Sequence, residues 1–278
     1  RLGLTMRLPL TKHHGLGNDF LVLLDLSATL EVDADLARAV CDRTTGVGAD
    51  GLIRARPSEA DDGDDGQDGD GADVVMELWN SDGSTAELSG NGLRCLGQAL
   101  VLAEVTGPEL TVATGRGTHR LEVAATGDPR THHVLAEMGT VDLEGQAKDW
   151  LLPGVVDAAF ARIENPHLVL HSPEPERAPD LDDVGARANA EVDGGVNVEI
   201  IRVSGPDLVL DVYERGAGRT QACGTGACAA AAVAHGWGLV GDQVLVRMPG
   251  GEAQVGLGDT VTLAGPVVAV AKVEWPWP

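Results

Sequence analysis

A chain of 278 residues suits one large domain or two of roughly 130–140 residues, each with its own core. A hydrophobic fraction of 43% with mean hydropathy near zero fits a soluble globular protein, and no apolar run approaches the ~18–20 residues of a membrane span. The net charge of −23 repels nucleic acid and anionic membranes, which excludes both as expected partners; an acidic host proteome accounts for it without a cationic ligand.

In chain order, the N-terminus lacks the basic start, apolar stretch and small-residue site of a signal peptide, and Met6 reads as a candidate native start. A strand is expected at 20–26, then a helix at 33–43 capped by Asp33 or Asp35. Residues 57–72 are acidic, Gly or small and predict a solvated loop; they lack the Ca²⁺-loop pattern with its closing Glu. Strands follow at 73–79, 109–114, 119–124, 132–138, 167–171, 196–203, 207–213, 243–248 and 261–274, with a helix near 179–190. The segments 91–104 and 224–236 are apolar nearly all round and predict buried helices. Two buried helices among many strands indicate an α+β fold with sheets wrapped around central helices.

The cysteines stand at 41, 95, 223 and 228. Four in a chain of this length do not make a disulfide scaffold, so a reducing cytoplasm is expected. Only Cys223 and Cys228 are close, across a Gly-rich turn, so no metal site is expected.

The two buried helices begin alike, with Ser89-Gly-Asn-Gly and Cys223-Gly-Thr-Gly, 134 residues apart. This predicts two pseudo-symmetric halves, divided among the turn formers of 127–131: an N-terminal domain 1–128 and a C-terminal domain 129–267, with the last strand, about 268–278, crossing back. A Gly-x-Gly turn opening a helix presents its first amides outward, and with the helix dipole these form an anion site. Two such ends facing each other would hold one carboxylate, and the residue ahead of each would flank its α-carbon. Epimerisation needs that arrangement: one group removes the α-proton and another delivers a proton to the opposite face. Thiols suit the task because their pKa can be tuned near neutrality.

Three other readings compete. Gly224-x-Gly226-x-x-Ala229 satisfies a dinucleotide fingerprint, but a loop at 215–222 precedes it where an apolar strand belongs, and Asp242 comes before the strand 243–248 instead of ending it. Structural glycine explains one such turn, less well two with a reactive side chain in the same place. A pyridoxal racemase needs a Schiff-base lysine, and Lys12, Lys148 and Lys272 adjoin neither turn.

Nearly end to end, the motifs resemble the diaminopimelate epimerases. They are His14-Gly-Leu-Gly-Asn18-Asp-Phe20, Gly46-Val-Gly-Ala-Asp50-Gly51, Asn80-Ser-Asp-Gly-Ser84 before the Ser89 turn, Asn165-Pro166-His167, Gly195-Val-Asn197, Tyr213-Glu214-Arg215-Gly216 before the Cys223 turn, Pro249-Gly-Gly251 and Gly265-Pro266. The resemblance implies two domains with the active site in the cleft between them. It implies cofactor-independent conversion of LL-2,6-diaminopimelate to the meso form, a step feeding lysine and peptidoglycan synthesis. The partner is then a small amino acid, and a homodimer is compatible with the family. Carried over by position, Cys223 is one acid/base residue and Ser89 stands at the other. Asn18, Asn80, Asn165, Asn197, Glu214 and Arg215 would hold the substrate's polar groups, and Gly90, Asn91, Gly224 and Thr225 would offer amides to the reacting carboxylate. Arg215 can clamp a carboxylate and Glu214 can pair with an ammonium. Asn18 and Asn80 also sit in turns, where Asn is common for backbone reasons, and His167 reads either as packing or as support for the substrate-binding groups.

Three positions depart from the family pattern: Ser89 replaces Cys, Arg219 replaces Glu and Glu164 replaces Gly. A serine hydroxyl can donate a proton but needs a neighbouring acceptor to act as base. This predicts unequal half-reactions with Cys223 the better base. Cys95, six residues into its helix, is expected to pack inside. A racemase of another amino acid and a non-catalytic amino-acid-binding paralogue are the alternatives.

Overall fold

A computed structural model describes residues 6–58, 71–86, 88–115 and 117–277. Residues 1–5 and most of the acidic run expected as a loop at 57–72 lie outside the described residues. The fold is mixed α/β, rich in sheet and poor in helix, and divides into two compact units, Arg1–Ala136 with Pro266–Pro278, and Glu137–Gly265.

The first unit opens with β1 (Met6–Gly15) and β2 (Asn18–Leu24), an antiparallel hairpin whose tip, Leu16-Gly17, has φ of 56° and 85°. Two positive φ values in a two-residue loop match the twist of the flanking strands. Helix α1 (Ala34–Cys41) follows, with the Asp33 side chain accepting from the Leu36 amide at 2.8 Å and Leu36, Ala37, Val40 and Cys41 facing the core. It carries the chain to β3 (Gly51–Pro57), parallel to β2, and β4 (Val74–Asn80) returns antiparallel. After β5 (Thr85–Ala86) comes α2 (Gly90–Leu102), buried from Gly90 through Leu100 against β1, β2 and β3. Each of Leu93, Leu96 and Leu100, all fully buried, contributes about 1.5–3 kcal/mol. Strand β6 (Glu109–Thr114) runs parallel to β4, and β7 (Gly117–Ala125) and β8 (Thr131–Gly139) form a hairpin joined through residues 126–130.

The second unit contains β9 (Asp142–Gln146), β10 (Asp157–Ile163) and β11 (Asn165–His171), paired antiparallel in that order. Helix α3 (Leu181–Glu191) connects to β12 (Asn197–Ser204), parallel to β11. Next come β13 (Asp207–Glu214), β14 (Gly218–Thr220) and α4 (Gly224–Gly236), then β15 (Gln243–Met248) and β16 (Gly251–Leu257). Helix α4 packs on β10, β11, β12, β13, β15 and β16. Its run of alanines removes side-chain bulk and lets the strands close around it. The final strand, β17 (Val261–Trp277), pairs with β16 through Val261–Ala264 in the second unit and with β1 through Val268–Trp277 in the first.

The strands β1, β3, β9, β10, β14 and β16, and the short β5, are absent from the expected set. β1 carries Pro9 and Lys12-His13-His14, and β3 carries Arg54 and Arg56, which hides their alternation. Arg54 is neutralised only in three dimensions, by Asp25 at 2.6 Å and Glu77 at 3.0 Å.

Candidate active site

Helices α2 and α4 start on the same backbone. Their N-cap residues are extended, Ser89 at φ −135°, ψ 120° and Cys223 at φ −126°, ψ 120°. Each N-cap side chain accepts from the amide three residues on, Gly92 to Ser89 Oγ at 3.1 Å and Gly226 to Cys223 Sγ at 3.3 Å. Both third positions leave little room for a side chain, least at Gly226. A Cβ on Gly92 would lie 3.2 Å from Ile53 Cδ1, and one on Gly226 would lie 2.7 Å from Glu199 Oε1. Gly90 and Asn91 in α2, and Gly224 and Thr225 in α4, occupy first-turn positions whose amides have no acceptor within a helix.

Around Cys223 the strands present acids and a histidine. Asn165 begins β11, and His167 two residues later stands opposite Asn197, the first residue of β12. Fully buried His167 places Nδ1 2.7 Å from Glu199 Oε1 and Nε2 2.8 Å from Asn165 Oδ1. Glu214 ends β13 and accepts from Thr220 Oγ1 at 2.5 Å. Burial pushes the Glu214 carboxyl up, against the hydrogen bond from Thr220. Burial, and then the charges of Glu214 and Glu199, push the Cys223 thiol up, and the Thr225 hydroxyl and Gly226 amide oppose them only in part. At neutral pH Cys223 therefore carries its proton. To act as a base it must first give that proton away, and Glu214 is the acid whose charge acts on it most strongly.

Around Ser89 the matching strand positions differ. Asn18 begins β2, as Asn165 begins β11, but the residue two on is Phe20, opposite Gly51 at the start of β3. Two residues along β3 stands buried Ile53, and β4 ends in Asn80 where β13 ends in Glu214. Asn80 is exposed and donates to Ser84 Oγ at 3.0 Å. Asn18 donates to Asp50 Oδ2 at 2.7 Å and accepts from Asn91 Nδ2 at 3.2 Å, and Asn91 Oδ1 accepts from buried Arg94 at 2.5 Å. Arg43 ties Asp50 to Asp19 at 2.7 and 2.6 Å, and Lys12 lies 2.8 Å from Asp19. This charged network fixes Asn18.

The sequence profile of the diaminopimelate epimerase family matches residues 10–144 and 161–269. A diaminopimelate epimerase of Thermobifida fusca is 36% identical, over 94% of this chain and 95% of that one, and one of Acidothermus cellulolyticus is 35% identical over 95% and 94%.

The chain belongs to the diaminopimelate epimerase family.

Among solved structures, a hydroxyproline epimerase of Agrobacterium vitis shares the fold with a TM-score of 0.69 at 18% identity, covering 99% of this chain and 94% of that one. A phenazine biosynthesis protein of the PhzF family from Bacillus anthracis does so at 0.72 and 13%, covering 97% and 99%.

Against this diaminopimelate epimerase background the departures have local explanations. Glu164 adopts φ +63° at the tip between β10 and β11, a left-handed conformation that favours the family's glycine. Arg219 stands 3.5 Å from Asp182 on α3. Asn197 is buried and accepts from the Arg215 amide at 2.8 Å, while the exposed Arg215 guanidinium donates to Gly194 O at 2.8 Å. Cys95 is fully buried and its thiol is pushed up to about 12 by burial, so it remains an inert core residue. The sequence reading missed Glu199 and Arg94. A lone acid between Val198 and Ile200 in a strand buried on both faces was the available signal for Glu199. No group of three or more His, Cys, Asp or Glu among the described residues is placed to hold a metal ion.

Proposed function

We propose that this protein converts LL-2,6-diaminopimelate to the meso form in the cytoplasm, without a cofactor, by two-residue proton transfer at the α-carbon through Cys223 and Ser89. The observation that carries this reading is the pair of matching helix starts, each with a protic N-cap side chain ahead of first-turn amides. In the reading, the two units repeat one plan, an antiparallel-rich sheet around a buried helix, in which Asn18, Phe20, Ile53, Asn80 and Ser89 correspond to Asn165, His167, Glu199, Glu214 and Cys223.

The chemistry follows from the surroundings. With Cys223 as base, the thiol proton passes to Glu214, the thiolate removes the α-proton, and the Ser89 hydroxyl delivers a proton to the opposite face; Glu214 then releases its proton to solvent and the Ser89 alkoxide takes one up. Charge developing on the substrate carboxylate meets the amides of Gly90, Asn91, Gly224 and Thr225, which act as an oxyanion hole does. Asn18, Asn80, Asn165, Asn197, Glu214 and Arg215 hold the remaining polar groups. In the reverse direction Ser89 must lose its own proton, and the strand position that holds Glu214 beside Cys223 holds a neutral amide, Asn80. The half-reactions are therefore unequal.

The test is exchange of the diaminopimelate α-proton in D₂O, followed by NMR on wild type, Cys223→Ala and Ser89→Cys. Exchange is expected in wild type, lost in Cys223→Ala and kept or raised in Ser89→Cys. No exchange in wild type would refute the reading. Because Ser89 is unusual for the family, histidine, proline and hydroxyproline belong in the same assay, and turnover of one of these alone would point to a related racemase.

A further inference from the structure

Glu199 has contacts that tie its carboxylate to the Cys223 half of the site. It is fully buried in β12, and its Oε1 bonds His167 Nδ1 at 2.7 Å. The same oxygen lies 2.7 Å from the point where a Cβ on Gly226 would sit, so it abuts the residue whose amide bonds Cys223 Sγ. Its other oxygen, Oε2, has no hydrogen-bond partner among the described residues. A carboxylate so buried is costly to retain without a task.

The hydrogen-bond chain has a direction. Asn165 Oδ1 only accepts, so the 2.8 Å contact requires a hydrogen on His167 Nε2. The Nδ1–Oε1 contact then holds one further proton, and Asn165 is fixed with its oxygen inward and its two N–H groups turned away from His167. We infer that Glu199 is a positioning residue of the Cys223 half-site: through His167 it turns Asn165 to present N–H donors, so that this position takes an anionic or carbonyl group of the substrate, and it sets the carboxyl end of that neutral pair beneath the α4 start. This rests on the reading of Cys223 as an acid/base residue. Among the described residues, the charged groups acting on Cys223 are Glu214 from β13 and Glu199 from β12, the latter bonded to His167 of β11, with the Thr225 hydroxyl and Gly226 amide from α4. The charge of Glu199 is one of the causes holding the thiol up. In the first unit the corresponding residues are Phe20 and Ile53, which can do neither task.

Two measurements read Glu199 without catalysis, so failure of the epimerase reading would leave them standing. The first is the pH dependence of Cys223 alkylation by iodoacetamide, quantified on the Cys223 peptide by mass spectrometry in substrate-free protein. Glu199→Gln, which keeps a hydrogen bond and removes the carboxylate, is expected to move the curve down by a few tenths of a pH unit. An unmoved curve in folded Glu199→Gln would overturn the electrostatic role. The second needs no Glu199 variant, and so survives one that does not fold: ¹⁵N-histidine NMR on wild type, with His167 assigned by its loss in His167→Gln. The Nε2 resonance is expected at the protonated position, and a bare Nε2 would overturn the orientation of Asn165. With substrate, Glu199→Gln should leave KM nearly unchanged while Glu199→Leu raises it about tenfold; equal KM in both variants would contradict the positioning role.

Discussion

The starts of α2 and α4 share a backbone and differ in what the neighbouring strands present to it. Both N-caps are extended, both side chains accept from a glycine amide three residues on, and both helices are buried. Beside Cys223 stand His167, Glu199 and Glu214; at the matching strand positions in the first unit stand Phe20, Ile53 and Asn80. In the proposed function anion binding depends on the helix start, which Gly-x-Gly supplies in both units. Moving a proton depends on side chains from strands far away in sequence, and only the second unit places acids at those positions.

Removing the two N-cap groups should give the largest contrast. Cys223→Ala is expected to lower α-proton exchange by about 10³-fold or more. Ser89→Ala should block epimerisation yet retain measurable exchange on the Cys223 face, and equal loss of exchange in both variants would break the comparison. Glu214→Gln takes away the acceptor of the thiol proton and should cost about 10²-fold in kcat. The sign of its effect on the thiol is opposite to the effect on rate: with a negative charge gone, Cys223 alkylation should begin at lower pH, whereas the same substitution at an exposed acid such as Glu252 should leave it unmoved.

Moving the acid across units sharpens the point energetically. Ile53→Glu would bury a carboxylate where Phe20, and no histidine, stands two residues into the neighbouring strand; urea denaturation should show a loss of about 3–5 kcal/mol. Gly226→Ala should cost about 1–3 kcal/mol, because its Cβ would meet an oxygen already held by His167. Gly92→Ala should cost less, since Ile53 Cδ1 at 3.2 Å can rotate away. The smallest effect belongs to Glu164→Gly, which relieves a left-handed glutamate and should stabilise by about 1 kcal/mol or less in the same denaturation assay.

Much of this was legible in the sequence, for local reasons. The Ser89 and Cys223 turns announce themselves because glycine, a capping side chain and an apolar run are adjacent in the chain, and Asp33 marks the start of α1 in the same way. What stayed hidden depends on partners distant in sequence. Strand β3 looks too charged until Arg54 meets Asp25, 29 residues away. Glu199 looks like one acid in an apolar strand until His167, 32 residues earlier, closes on it. The Glu214 motif points to a substrate ammonium, and only the structure shows its carboxylate held by Thr220 and acting on Cys223.

The inequality of the two proton-transfer groups is tested most directly by the primary isotope effect on kcat with α-deuterated diaminopimelate, measured from the LL form and from the meso form. The effects should differ between directions in wild type and converge in Ser89→Cys. Equal effects and equal kcat in both directions of the wild-type enzyme would contradict it.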